Sequence, residues 1–456
     1  MAVGLPRALM VALLALSAPV WAAKKVDLDY HVRLLPQSDQ AEVRLTLAKG
    51  EAVRSLDFDL GDGSHYSDFK ADGQWLLSPG KQARGVWRPA SEKSSLTYRV
   101  RISHGRKNGS FDTRMTPNWA LMRGDELVPP ARLDQQDGTE LVARLQFELP
   151  DGWKSIETAW PRIGKNKFRI DNPSRLFDRP TGWMLAGHLG SRRTRLGETE
   201  VTVASPQGQG MRRMDVLTLL TFVWPQVQAV YPRHPSKLLI VGANDPMWRG
   251  SLGAHESIYV NTRLPLVSES GSSALVRELA QVFGRINDEQ RSDWISEGFA
   301  EYYAIELVRR AGGMSDERYQ GLQAKLAKDS QKVTTLRGEQ ISPAQVAKAV
   351  VLLQELDREI RLKTRNKRSL DDVLRGAMHL GTVSTKEFVQ LAESVLGESS
   401  KVLDTALLQW HRYRWQASSH SVLGWAQNQC TTHKPIWGWA KILWSPQNLW
   451  ELACQR

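Results

Sequence analysis

Arg277-Glu278-Leu279-Ala280-Gln281 and, a short way on, Trp294-Ile295-Ser296-Glu297-Gly298-Phe299-Ala300-Glu301-Tyr302-Tyr303 are the two segments whose reading decides the fold. Both read as helices. Ser272-Ser273 carries an N-cap signal, and apolar residues at 275, 276, 279, 282 and 283 make one face behind it. On this helix Arg277 and Gln281 are one turn apart and share a face, with Glu278 about 100° around. The second helix is expected over about Ser292 to Arg310, ending at Gly312-Gly313. It sets Glu297 and Glu301 one turn apart on a common face.

Working outward, the chain is helical downstream of this pair. Pro343 opens a helix running to about Thr364, with an apolar stripe at Val346, Val350, Leu353 and Leu356, and Thr385 to Leu396 reads as another. Upstream, Lys237 to Val241 and Ser257-Ile258-Tyr259-Val260 read as strands. Met214 to Val223 reads as a helix stopped by Trp224-Pro225. Before about residue 210 the period changes to two. Val26, Leu28, Tyr30, Val32 and Leu34 alternate with polar residues, and similar runs follow at Val43-Leu47, Leu56-Leu60, Leu96-Ile102 and Leu141-Leu149. Glycine-rich breaks such as Gly61-Asp62-Gly63 separate them, predicting a sandwich or saddle-like sheet of half-buried antiparallel strands. Asn172-Pro173 and Arg179-Pro180-Thr181-Gly182 read as the connecting segment. The fold class expected is therefore α+β and multidomain: an N-terminal antiparallel β-rich domain over 23–195, an α/β domain over 196–400, and a helical tail over 401–456.

Hydrophobic content of 41% and charged content of 24% suit a globular protein, and 456 residues leave room for two or three cores. The first 22 residues differ. Arg7 precedes an apolar run from Ala8 to Leu16, and Val20-Trp21-Ala22 offers a cleavage site, so this stretch is predicted to be a secretory signal peptide. Its apolar run is too short to span a bilayer comfortably, and a periplasmic or secreted location with no transmembrane segment after cleavage is expected. The only two cysteines, Cys430 and Cys454, would pair as a disulfide in an oxidising compartment, with two free thiols as the alternative. The net charge of +12 suits association with an anionic surface or acidic peptides. No nucleic-acid motif accompanies it, so no nucleic-acid partner is expected. Seven tryptophans follow residue 409, among them Trp410, Trp437 and Trp450, and burial within the tail accounts for them more economically than ligand stacking.

The two opening segments resemble the gluzincin metallopeptidases, specifically the aminopeptidase-N-like and glycyl-aminopeptidase-like families. Those carry a histidine-glutamate-x-x-histidine helix followed by a tryptophan-x-x-glutamate-glycine-phenylalanine helix, which Trp294 to Tyr303 matches nearly throughout. The resemblance spans roughly residues 205 to 400 and implies a thermolysin-like α/β domain behind the β-rich one. It implies that Glu278 holds the general-base position, Glu297 that of the third zinc ligand, and Glu301 that of a carboxylate orienting a ligating imidazole. It also puts both histidine positions on Arg277 and Gln281, and an oxyanion-stabilising tyrosine position on Val346.

Arginine has only donors and cannot ligate zinc, and a glutamine amide is a poor zinc ligand beside imidazole. Glu297 is thus the only ligand position retained, and no zinc or other cofactor is expected. Without the metal's positive charge, Glu278, Glu297 and Glu301 would repel one another. Arg277 is therefore expected to bridge to Glu297 or Glu301, the alternative being a surface arginine on a drifted helix. His255, just before the Ile258-Tyr259-Val260 strand that the resemblance makes an edge lining the cleft, is a candidate rescuing ligand but a lone one. No serine-nucleophile elbow or phosphate loop occurs. The expectation is an exported, metallopeptidase-like protein without hydrolytic activity that binds a peptide or protein segment in the retained cleft. The alternatives are an active zinc-dependent aminopeptidase-like hydrolase with atypical ligands, and a basic, envelope-associated structural protein.

Overall fold

Alternation in the N-terminal half becomes sheet because every second side chain has somewhere apolar to go. A computed structural model describes residues 24–171, 177–289 and 291–409. The first 22 residues, Asn172-Pro173, the tryptophan-rich stretch from 410 and both cysteines lie outside the described residues. Lys24–Leu35 buries Val26, Leu28, Tyr30, Val32 and Leu34 and exposes or half-exposes the residues between them. It sits inside a seven-stranded sheet, between Gln40–Leu47 and Thr139–Glu148. The first pairing is antiparallel, but the second is parallel, with Val26 opposite Leu141. This is the one parallel pairing in an otherwise antiparallel seven-stranded sheet. A parallel neighbour needs a long crossover, and the hundred or so residues between the two strands supply it.

A four-stranded sheet built on Val53–Asp59 and a five-stranded sheet built on Trp119–Arg123 and Trp183–Gly187 pack onto the first. All three contribute to one core, in which Tyr30, Phe58, Trp87, Met122 and Met184 are buried together. The Arg179–Gly182 connection is part of this interior rather than a surface linker. Arg179 is 7% exposed and donates to the Asp125 and Val128 carbonyls, which gives a buried guanidinium its partners.

The second module begins with β1 (Leu189–Leu196), which pairs with β2 (Thr199–Pro206), so the change of sheet falls at the bend after Gly187. Next comes α1 (Arg213–Val230). It does not stop at Trp224-Pro225. Pro225 lies on the exposed face, where water can reach the carbonyl it leaves unbonded, and buried Val227 and Val230 hold the last turn on the core. Then follow β3 (Lys237–Ala243), β4 (Ser251–Ala254) and β5 (Ser257–Asn261). The sheet order is β1-β2-β3-β5-β4, parallel across β2-β3-β5 and antiparallel at both margins. β5 is therefore second from the margin, and the short β4 is the edge.

Helices close the other side: α2 (Ala274–Gly284), α3 (Trp294–Arg310), α4 (Asp316–Asp329), α5 (Pro343–Lys363), α6 (Leu370–Leu380) and α7 (Thr385–Leu396). Ser273 caps α2 by accepting from the Val276 N–H, and Ser342 with Gln345 forms a capping box on α5. Their apolar faces meet α1 and the sheet in one core that includes Trp224, Phe283, Trp294, Tyr303, Leu353 and Phe388. A smaller core of Trp119, Leu121, Trp183, Leu239, Val241 and Tyr259 joins the two modules directly. The whole is a mixed α+β architecture, β-rich first and helical towards the end. Among the described residues, no helix is long and apolar enough to cross a membrane.

Candidate functional site

Three elements converge on one buried patch of charge. α2 brings Arg277, Glu278 and Gln281; α3 brings Glu297 and Glu301; the edge strand β4 lies alongside. The start of α3 is fixed by Trp294, whose indole N–H donates to the Thr385 hydroxyl at 3.1 Å, and by the Ser296 N–H and hydroxyl, which both donate to Asp288. Its far face is fixed against α5 at Gly298. A Cβ there would meet the Ala349 methyl at 3.0 Å and Leu353 at 3.3 Å, so the helices approach this closely because residue 298 has no side chain. Val346 lies one turn ahead of Ala349 and is 7% exposed.

The Arg277 guanidinium is the centre of the cluster. It hydrogen-bonds the Glu297 carboxylate, lies 3.3 Å from Glu278 Oε1, and reaches Glu301 Oε2 from Nε at 3.3 Å. Gln281 Nε2 donates to Glu297 Oε1 at 3.4 Å, a long contact. The Arg277 side chain keeps 15% of its surface, so it does not point into solvent. Burial works against its charge, but the opposing charges of Glu297, Glu278 and Glu301 outweigh it and raise its pKa further. Burial is also the largest influence on Glu278 and Glu301. It raises both above the usual carboxylate range, with Arg277 pulling each back.

Glu278 is held from a second side. Its Oε2 accepts the Gly253 backbone N–H at 2.7 Å and its Oε1 accepts the Ser251 hydroxyl at 3.0 Å, both from β4. Ser251 and Gly253 were not legible as site residues, because Gly250-Ser251-Leu252-Gly253-Ala254 has too short and too mixed a pattern to read as a strand. The hairpin that follows is clamped as well. Glu256, at its tip, accepts from Arg285 at 2.8 Å and from Arg233 at 3.3 Å. His255 stacks on Trp160 of the N-terminal module, ring centroids 4.6 Å apart, with its Nε2 4.0 Å from Glu256 Oε2.

A zinc ion at this patch would need neutral or anionic donors with lone pairs. The side chain central to the carboxylates instead presents five N–H donors and none. The residues present do not fit the metal. Among the described residues, no group of three or more His, Cys, Asp or Glu side chains is arranged to hold one. What the arrangement does supply is a pre-organised ion cluster joining two helices to a sheet edge, with donors on both Glu278 oxygens.

No protein-family model matches the sequence, and no curated protein does so significantly. Solved structures do match. An aminopeptidase N family protein from Idiomarina loihiensis is 14% identical, with a TM-score of 0.62 over 80% of this chain and 72% of that one. The M1 zinc metallopeptidase from Deinococcus radiodurans is 16% identical, at 0.52 over 84% and 92%. Native yeast LTA4 hydrolase is 13% identical, at 0.51 over 84% and 66%. At these identities the likeness shows the fold: this chain has the architecture of two-domain M1 peptidases.

Proposed function

We propose that this chain is a metallopeptidase-like protein that does not hydrolyse peptides and instead binds an extended peptide or protein segment in the cleft beside α2 and α3. The observation that carries the reading is the guanidinium of Arg277, seated among Glu278, Glu297 and Glu301. By the resemblance, Arg277 and Gln281 stand at the two histidine positions of the zinc peptidases, Glu278 at the general base, and Val346 at the oxyanion tyrosine. Without a metal to lower its pKa, water at this site stays close to its bulk acidity, and a carboxylate alone does not make it a competent nucleophile. A peptide as the ligand class is supported by the Deinococcus radiodurans M1 zinc metallopeptidase, one of whose structures is described as bound to a Tyr-Ser-Ala substrate. The signal-like first 22 residues make export part of the same reading.

The test compares metal content and peptidase activity of the native protein with those of the Arg277→His, Gln281→His double variant. The native protein is expected to carry no stoichiometric zinc and to show no chelator-sensitive hydrolysis. The double variant is expected to take up about one zinc per chain, since it restores two imidazoles facing Glu297. Stoichiometric zinc with chelator-sensitive activity in the native protein would overturn the proposal in favour of an active hydrolase.

A further inference from the structure

β4 is an edge strand, and an edge strand ordinarily leaves N–H and C=O groups free to pair with another extended chain. Here the group that matters is already taken. The Gly253 N–H points away from β5 and donates to Glu278 Oε2 at 2.7 Å. Two residues back along the same edge, the Ser251 hydroxyl takes the other oxygen. The approach is tight, because a Cβ on residue 253 would meet Val282 at 3.0 Å and Glu278 Oε2 at 3.2 Å. On its inner side the strand is anchored elsewhere: the Trp183 indole donates to the Leu252 carbonyl at 2.9 Å, and the Glu256–Arg285 pair holds the hairpin tip to the end of α2.

We infer that Glu278 is a latch that occupies the outer edge of β4, so that an extended segment can pair there only after the carboxylate lets go of Gly253. The inference rests on the peptide-binding reading above and gives it a regulator within the site. Three features suit a latch better than a residue left over from other chemistry. Each Glu278 oxygen has a β4 donor, so the carboxylate's hydrogen bonds are directed at the strand. Arg277, which lies beside Glu278 Oε1, also touches Glu297 and Glu301 and so retains partners when Glu278 swings away. The hairpin keeps its anchors at Trp183 and Arg285 throughout, so the edge would open without the strand detaching.

Two readouts on the full chain separate the latch from the reading it rests on. The first is amide hydrogen exchange over residues 250–254 in the native protein and in Glu278→Ala, Glu278→Gln and Ser251→Ala. Loss of the acceptor in Glu278→Ala is expected to speed exchange at Gly253 by roughly ten- to a hundredfold. Glu278→Gln keeps a carbonyl acceptor and should leave exchange slow; Ser251→Ala should speed it only slightly. The second is binding of a fluorescein-labelled octapeptide of alternating threonine and valine, which has no charged side chain and must bind through its main chain. It is expected to bind Glu278→Ala at least tenfold more tightly than the native protein. Unchanged exchange in Glu278→Ala would overturn the latch. Faster exchange without peptide binding would uphold the latch and overturn the peptide-binding reading. Equal binding to both proteins would overturn the inference that the carboxylate bars the edge.

Discussion

Arg277 and Glu297, twenty positions apart on successive helices, are joined by a direct charge-assisted hydrogen bond in a site where each side chain keeps 15% of its surface. That bond ties α2 to α3 and sets the balance of charge around it. Three carboxylates face one guanidinium, so the cluster is stable only while the arginine stays, while burial raises the pKa of Glu278 and Glu301 against the pull of Arg277.

Arg277→Ala is therefore expected to be strongly destabilising. Removing the one cation leaves Glu278, Glu297 and Glu301 repelling one another in a poorly solvated site, at a cost of about 3–5 kcal/mol. Urea denaturation of the variant checks this. A loss below about 1 kcal/mol would mean that the cluster behaves as an exposed surface network.

The packing of α3 on α5 gives a second expectation. Gly298→Val places two methyl groups where a Cβ alone would already lie 3.0 Å from Ala349, and should cost roughly 1–3 kcal/mol by overpacking. Gly298→Val combined with Ala349→Gly should recover part of the loss. If the double variant is as unstable as the sum of its parts, the contact is not the cause.

Farther along α3, Asp371 accepts the Tyr303 hydroxyl at 2.8 Å and both terminal nitrogens of Arg310, at 2.8 and 3.1 Å. Asp371→Ala leaves a buried phenol without its acceptor and the Arg310 guanidinium with Glu306 alone, 3.3 Å from its Nε, and is expected to cost about 3–5 kcal/mol. Tyr303→Phe loses one hydrogen bond and should cost about 1 kcal/mol, or up to about 3 because the acceptor is charged. Thermal unfolding of the two variants would show whether this ordering holds; a reversed order would remove Asp371 from the centre of the network.

Asp288 sets a pH dependence. Burial pushes its carboxyl up to about 7, against two Ser296 hydrogen bonds and with Asp293 and Glu297 adding to the rise. The folded state thus holds a proton that the unfolded chain, titrating near the ordinary aspartate value of about 4, has released. The contribution is fully present below the unfolded value and is lost as pH rises towards the folded one, a window from about pH 4 to 7. Glu278 and Glu301 are shifted in the same direction and add to the trend. Asp288→Asn, which keeps an acceptor for Ser296, should flatten the fall in unfolding midpoint across this window relative to the native protein. Parallel curves for the two would exclude Asp288 as the titrating group.

Much of this was legible in advance, for identifiable reasons. The Lys24–Leu35 strand, the α2 cap at Ser273 and the bounds of α7 follow from local pattern and capping chemistry, which act within a few residues. Helical spacing likewise put Arg277 with Gln281 and Glu297 with Glu301. Where the reading went astray, distant contacts had decided the matter. α1 continues through Pro225 because Val227 and Val230 find a core; β4, not β5, forms the edge because four residues gain stability from a hairpin partner and from α2.

The sequence by itself determined that two helices would each carry a polar face, that the first would lack imidazoles, and that the second would set two glutamates one turn apart. Those facts depend only on residue identity and a 3.6-residue repeat. Tertiary structure alone decided that the arginine turns inward to reach all three carboxylates, and that Glu278 reaches across to the backbone of β4. Both depend on how closely two helices and a sheet edge can approach, and at Gly253 the approach of β4 to Glu278 and Val282 of α2 needs a residue without a side chain.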